Sequence, residues 1–322
     1  MIPVSVVTGF LGSGKTTLIG RMLRDPAFGR TAVIVNEFGE IGLDHDLIAS
    51  SDESVVELTT GCLCCAVQTD LARTLLALMD RRQCGDVGYD RVLIETSGLA
   101  DPAPVLSMMM TDSQIAATHQ MSSITTLVDT VHGEATLERH VEARRQVALA
   151  DHLLLSKTDI AAVSQSLASR VMTLNPHASV STTAQINAAF MFATGAIELV
   201  EQRLASLENR RANHAVEIET FVLTRDRPLP ALALTLLLQA LAEHCGIRLL
   251  RMKGLVAIEE MPGQPAVIHG VRHVVSSPVF LERWPGADTS TRIIFIADGI
   301  PRYFPSRLLE AIEAEVREQT AS

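Results

Sequence analysis

Three cysteines, Cys62, Cys64 and Cys65, fall within four positions of a chain that has five cysteines in all. Such a cluster suits a disulfide, an activated thiol, a metal clip or plain packing. A bond between adjacent Cys64 and Cys65 needs a strained ring, and one between Cys62 and Cys64 is also tight. An activated thiol needs a partner base, and the spacing points to no particular histidine. A metal clip fits better, because C-x-C lets one turn point two thiolates inward and thiolates suit Zn²⁺. Three sulfurs leave a tetrahedral ion one ligand short. Glu37, a histidine, water or a group from a partner protein could fill the place. Packing of the three as small apolar residues stays open beside this reading. Cys84 and Cys245 stand alone and read as packed residues.

A second constellation precedes the first. Gly9, Gly14, Lys15 and Thr16 fit G-x-x-x-x-G-K-[ST] between a strand pattern and a helix pattern, which is the context a P-loop requires. Backbone N–H groups from Gly9, Gly12, Ser13, Gly14, Lys15, Thr16 and Thr17 could curl around phosphate oxygens at a helix N-terminus. Lys15 is then the side chain for the β- and γ-phosphates, and the Thr16 hydroxyl a ligand of Mg²⁺.

Carboxylates follow at the right places. "LIETSG" sets Glu95 at the end of a strand, as an Mg²⁺ ligand or a group that polarises the attacking water, and Gly98 could offer its N–H to the γ-phosphate. "NEFGEIGLD" follows another strand, with Glu37 at its end and Glu40 in the loop. Farther on, "LLLSKTD" ends a strand with Ser156, Lys157 and Asp159. The tetrapeptide resembles the guanine signature N-K-x-D. Asp159 can accept from guanine N1–H and N2–H₂, a pair adenine does not offer, and the Lys157 stem can cover the base. Ser156 stands where Asn is usual, so its ties to neighbouring loops are expected to be shorter or missing. His244, His269 and His273 read as surface or packed residues, with His269 and His273 on one strand face.

These motifs need an α/β scaffold. Runs at 3–8, 31–36, 55–59, 91–96, 123–129, 151–156 and 178–182 read as strands, and 15–23 and 70–80 as helices. Continuous apolar strands separated by helices imply a mostly parallel sheet covered on both faces. After the polar segment "ENRRANHA" the pattern changes to neighbouring strands at 216–224, 249–259, 266–275 and 291–298, with helices at 229–246 and 306–319. The expected division is a P-loop nucleotide domain at 1–207, a linker at 208–215 and a smaller α+β domain at 216–322.

Composition agrees with two globular domains. Apolar residues make 47% of 322, and charged residues 20%. A net charge of −10 argues against nucleic acid or an anionic membrane surface as main partner, and is compatible with collecting cations. The start "MIPVSVVTGF" lacks the basic lead and long apolar core of a signal peptide. The longest apolar stretch is broken by Thr235 and Gln239 and is too short for a bilayer. A soluble, cytoplasmic protein is expected, and in that reducing setting clustered cysteines favour metal or redox chemistry over a disulfide.

Together, GFLGSGKTT (9–17), NEFGEIGLD (36–44), GCLCC (61–65), ETSGLADP (95–102) and SKTD (156–159) resemble the CobW-type metallochaperones, a branch of the P-loop GTPases. The resemblance implies a low-turnover GTPase that uses GTP and Mg²⁺. It would bind a transition metal, Zn²⁺ or Co²⁺, at the C-x-C-C loop and deliver it to a client metalloprotein. Glu95 in place of the Asp of most GTPases is typical of that branch. Ser156 and the lack of a His-rich stretch depart from some members, and a homo-oligomer is left open. Two rivals remain at this stage: a regulatory GTP-binding module without metal delivery, and a P-loop kinase of a small molecule.

Overall fold

The computed structural model describes residues 1–36, 55–57, 66–192 and 218–321. The chain forms two compact units, Met1–Gly195 and Ala196–Ser322.

The first unit is built on β1 (Ile2–Gly9), whose β-branched run pairs in parallel with β4 (Arg91–Thr96) on one side and β5 (His119–Asp129) on the other. Outward from β4 lie β2 (Thr31–Asn36) and β3 (Val55–Glu57). Outward from β5 lie β6 (His152–Ser156) and β7 (Ser179–Thr182). The seven strands run in the order β3-β2-β4-β1-β5-β6-β7, with every pairing parallel.

Strand periodicity sends Val4 and Val6 to one face and Val7 to the other. On the first face α2 (Ala66–Cys84), α3 (Ala103–Thr111) and α4 (Ser113–Thr118) bury Leu71, Leu75, Met108 and Ile115 against Val4, Val6, Ile34 and Ile94. On the second, α1 (Lys15–Leu23) and α8 (Ala188–Phe192) bury Leu18, Ile19 and Met191 against Val7, Val33 and Leu127. Both faces are thus covered, as the continuous apolar strands require. Helices α5 (Gly133–Arg139), α6 (Val141–Leu149) and α7 (Gln165–Leu174) complete the unit. The sequence-predicted strands and helices of this unit are all present where residues are described; β5 starts four residues earlier than expected.

The named strands of the second unit pair antiparallel. Strands β8 (Ile218–Arg225), β9 (Leu249–Val256), β10 (Ala266–Val271), β11 (Val274–Val275) and β13 (Thr291–Asp298) lie in the order β11-β10-β9-β13-β8, and β12 (Val279–Phe280) also pairs with β10. Helices α9 (Ala231–Cys245) and α10 (Tyr303–Ala321) cover one face, burying Leu234, Leu237, Leu241 and Leu309 with Phe221, Met252 and Phe295.

One expectation is corrected here. The run 266–275 is a hairpin rather than one strand: Val271 pairs with Val274 and Arg272 turns the chain at φ 56°. His269 therefore lies in a strand and His273 in the turn, not on a shared strand face. No described helix is long and apolar enough to cross a membrane. The expected linker 208–215 lies outside the described residues.

Candidate functional site

The loop between β1 and α1 is shaped by its own sequence. Gly12 and Gly14 take positive φ of 72° and 92°, a region where L side chains are strained. Gly14 is the N-cap of α1 and makes no side-chain capping bond, so the amides of the first helical turn stay turned toward the loop. Leu18 N–H closes the helix onto Gly14 O at 2.9 Å. Lys15 is buried, and a buried ammonium needs acceptors. Its Nζ donates to Gly9 O at 2.9 Å and to Phe10 O at 3.5 Å, across the mouth of the loop. Thr17 is exposed on the helix surface.

The parallel register sets Glu95 level with Val7 of β1 and Val35 of β2. It is fully buried, and its Oε1 accepts from Thr16 Oγ1 at 2.8 Å. One residue on, Thr96 Oγ1 donates to Thr8 Oγ1 at 2.8 Å. A hydroxyl and a carboxylate oxygen converging beside the phosphate loop form a hard oxygen donor set, of the kind Mg²⁺ takes. Gly98 meets the P-loop directly: a Cβ there would lie 2.7 Å from Leu11 N and 2.8 Å from Leu11 Cα. Only glycine fits that approach.

The end of β6 reaches the same loop from the other side. Ser156 is buried, and its Oγ donates to Ser13 O at 2.7 Å. Of the two outcomes expected for this short side chain, a shorter tie or a missing one, the tie to the phosphate loop is not missing. Lys157 takes φ 58°, and its Nζ donates to Asp129 Oδ2 at 2.6 Å. Thr130 Oγ1 holds the turn by donating to Ser156 O at 2.9 Å and Lys157 O at 3.0 Å. Asp159 is exposed in the turn that follows.

Asp129 is a site residue that sequence reading missed. Burial pushes its carboxyl upward, but Lys157 Nζ and the amides of Val131 and His132 outweigh burial and hold it below the usual carboxylate range. The signal was available: Asp129 ends its strand, and Glu95 stands one residue before the end of its own. Behind the loop a cavity of about 110 Å³ is lined by Phe10, Leu11, Ser13, Asp129, Gln146 and Lys157, among others.

Glu37, Glu40, Cys62, Cys64 and Cys65 lie outside the described residues. Among the described residues no group of three or more His, Cys, Asp or Glu is placed to hold a metal ion. The Thr16–Glu95 and Ser156–Ser13 bonds tie the phosphate loop to the Glu95 strand and to the start of the 156–159 turn, whereas Thr17 and Asp159 are exposed; Cys84, exposed on α2, and Cys245, buried at the end of α9 in the other unit, belong to no such group.

Comparison with known proteins agrees with this geometry. Residues 3–182 match the CobW/HypB/UreG nucleotide-binding domain, and residues 218–314 match the cobalamin synthesis protein cobW C-terminal domain. The chain is 30% identical over 305 residues to a zinc chaperone, YjiA, of Escherichia coli (strain K12), covering 93% of this chain and 95% of the relative. It is 41% identical over 165 residues to a zinc chaperone, CobW, of Pseudomonas aeruginosa, covering 47% of this chain and 43% of that one. A crystal structure of a Zn(II)-bound triple mutant of the YjiA GTPase superposes with a TM-score of 0.76 at 25% identity, covering 97% of this chain and 99% of the other. With both domain models matched in order and a relative aligned over nearly its whole length, the chain belongs to the CobW family of P-loop nucleotide-binding proteins.

Proposed function

We propose that this chain is a GTPase metallochaperone: it binds and slowly hydrolyses GTP at the β1–α1 loop and carries a transition metal, zinc foremost, to a client metalloprotein. The observation that carries the GTPase half is the 2.8 Å contact between Thr16 Oγ1 and Glu95 Oε1 beside the buried Lys15. In this reading Thr16 and Glu95 would hold Mg²⁺, which screens phosphate charge when bound. Lys15 leaves the carbonyls of Gly9 and Phe10 for the β- and γ-phosphates. Amides from Gly12 through Thr17 bind phosphate oxygens, Gly98 N–H meets the γ-phosphate, and Glu95 orients the attacking water. Ser156, Lys157 and Asp159 read the guanine.

The chaperone half rests on "GCLCC" and on relatives named zinc chaperone. Cys62, Cys64 and Cys65, with Glu37 as a candidate fourth ligand, are the proposed metal site. They lie in sequence between β2 and β4, the strands that lead to Glu37 and Glu95. A γ-phosphate that orders the segments around it would therefore complete the metal site, and hydrolysis would loosen it. The proposed division is a nucleotide domain at 1–207 and a C-terminal domain at 216–322, with 208–215 as the linker. The proposed place of work is the cytoplasm.

The deciding experiment is zinc titration of the reduced protein with a GTP analogue and with GDP. Tighter zinc with the analogue is expected; equal affinity in both states removes the coupling. A relative with a glutamate and two cysteines replaced by alanine still bound Zn(II) in its crystal. Bound zinc alone thus does not locate the site, and the titration is repeated on the variant with Cys62, Cys64 and Cys65 changed to Ser. Nucleotide-dependent affinity is expected to vanish there.

A further inference from the structure

Gln146 lies on α6 and is fully buried, yet no motif marks it. Its Nε2 donates to Gly98 O at 3.1 Å and to Ala100 O at 2.9 Å. Two carbonyl partners fix the amide's orientation, because only its NH₂ side can donate to both. Its own backbone carbonyl accepts from Thr126 Oγ1 of β5 at 2.8 Å, which anchors this turn of α6 to the central sheet.

The loop it holds is the one that follows Glu95. That loop is pinned in front by the approach of Gly98 to Leu11 and behind by Gln146. Gln146 also lines the cavity behind Phe10, Leu11 and Ser13.

We propose that Gln146 is a positioning residue for GTP hydrolysis, setting the Gly98 N–H at the γ-phosphate without touching nucleotide itself. The inference rests on the phosphate assignment above and deepens it. It separates nucleotides by what they carry. GDP has no γ-phosphate, so its binding does not depend on where Gly98 sits.

The test uses the full chain with Gln146→Leu and Gln146→Glu. Q146L is expected to lose about ten- to a hundredfold in kcat, the scale of a misplaced but non-reacting group. Its affinity for GDP should stay within about twofold, since no γ-contact is involved. Q146E supplies a titratable readout, compared with its GDP affinity over the same pH range, which a merely structural role would move in parallel and a positioning role would not. As a carboxylate it faces two carbonyl oxygens and repels them; protonated, it donates to one of them again. Burial raises its pKa, so its kcat relative to wild type should climb as the pH falls from about 8 to about 6. Wild-type kcat in Q146L, or a Q146E profile parallel to wild type, overturns the proposal. Equal loss of GDP and GTP-analogue binding also overturns it, in favour of a scaffold role. If Q146L fails to fold, the Q146E kcat profile read against its GDP affinity decides. Lys15→Ala is run alongside: retained turnover there refutes the phosphate site, whereas loss there with normal Q146L turnover refutes only the role of Gln146.

Discussion

Ser156 Oγ donates to Ser13 O across 2.7 Å, joining the turn after β6 to the β1–α1 loop through two buried serines. The bond spans 143 residues of sequence. Ser156→Ala would leave the Ser13 carbonyl without this donor. A buried polar group that loses its partner costs about 1–3 kcal/mol. The expected outcome is a stability loss in that range by urea unfolding, together with weaker binding of GTP, because Ser13 is part of the loop that takes the phosphates. A variant that unfolds at the wild-type midpoint would show that the tie has no energetic weight.

The Lys157–Asp129 pair gives a pH dependence whose sign is fixed. The Asp129 carboxyl is held below its ordinary value in the folded chain. Its contribution is therefore fully present above the unfolded carboxylate pKa of about 3.9, and is lost as the pH falls through the folded value. Asp129→Asn keeps an oxygen for the amide of Val131 but removes the charge that Lys157 Nζ meets. The variant should be less stable than wild type near neutral pH, and the gap should close in acid. Denaturant unfolding across that window checks it; a gap constant with pH sinks the assignment.

The local chemistry of the site was legible in the sequence and the long-range wiring was not. Helix α1 starts at Lys15 as the glycine-rich loop predicts, and Glu95 stands at a strand end as expected. Both follow from spacing within a few residues. Gln146 and its carbonyl partners are 46 and 48 residues apart, and Lys157 and Asp129 are 28 apart. Periodicity reports which face a residue takes, not which distant carbonyl it meets. The hairpin inside 266–275 was hidden for another reason. Its turn residue is Arg272 at positive φ, where Gly, Asn or Asp would have announced the turn. Valines on both sides then read as one continuous strand.

Gly98 offers a test that separates room from charge. A Cβ at this position would lie 2.6 Å from Leu11 Cδ2, and within 2.8 Å of Leu11 N and Cα. The side-chain end can move aside, but the backbone atoms cannot do so cheaply. Gly98→Ala should push the loop after Glu95 away from the P-loop. Overpacking of this kind costs about 1–3 kcal/mol. Misplacement by a fraction of an ångström to an ångström should cut GTP turnover about tenfold or more. Steady-state kinetics beside a thermal melt reads both, and wild-type turnover in a destabilised variant would detach this glycine from the chemistry.

Glu95 is the sharpest test of the phosphate site, because one atom changes and the shape does not. Gln at this position can still accept from Thr16 Oγ1, so the 2.8 Å contact survives and the buried site stays filled. What disappears is the negative charge beside the hard oxygen donors. If Glu95 helps to hold Mg²⁺ and orients the attacking water, Glu95→Gln should lower GTP hydrolysis about a hundredfold or more, the scale of a lost acid–base group. With the shape and the Thr16 contact kept, the chain is expected to fold, which a thermal melt checks. The Mg²⁺ concentration that half-saturates nucleotide binding should rise, since one charged ligand is gone. Loss of turnover with a preserved melt and a raised Mg²⁺ requirement is the expected pattern. Wild-type turnover at the wild-type Mg²⁺ requirement would move both roles to another carboxylate, with Glu37 the first to be examined.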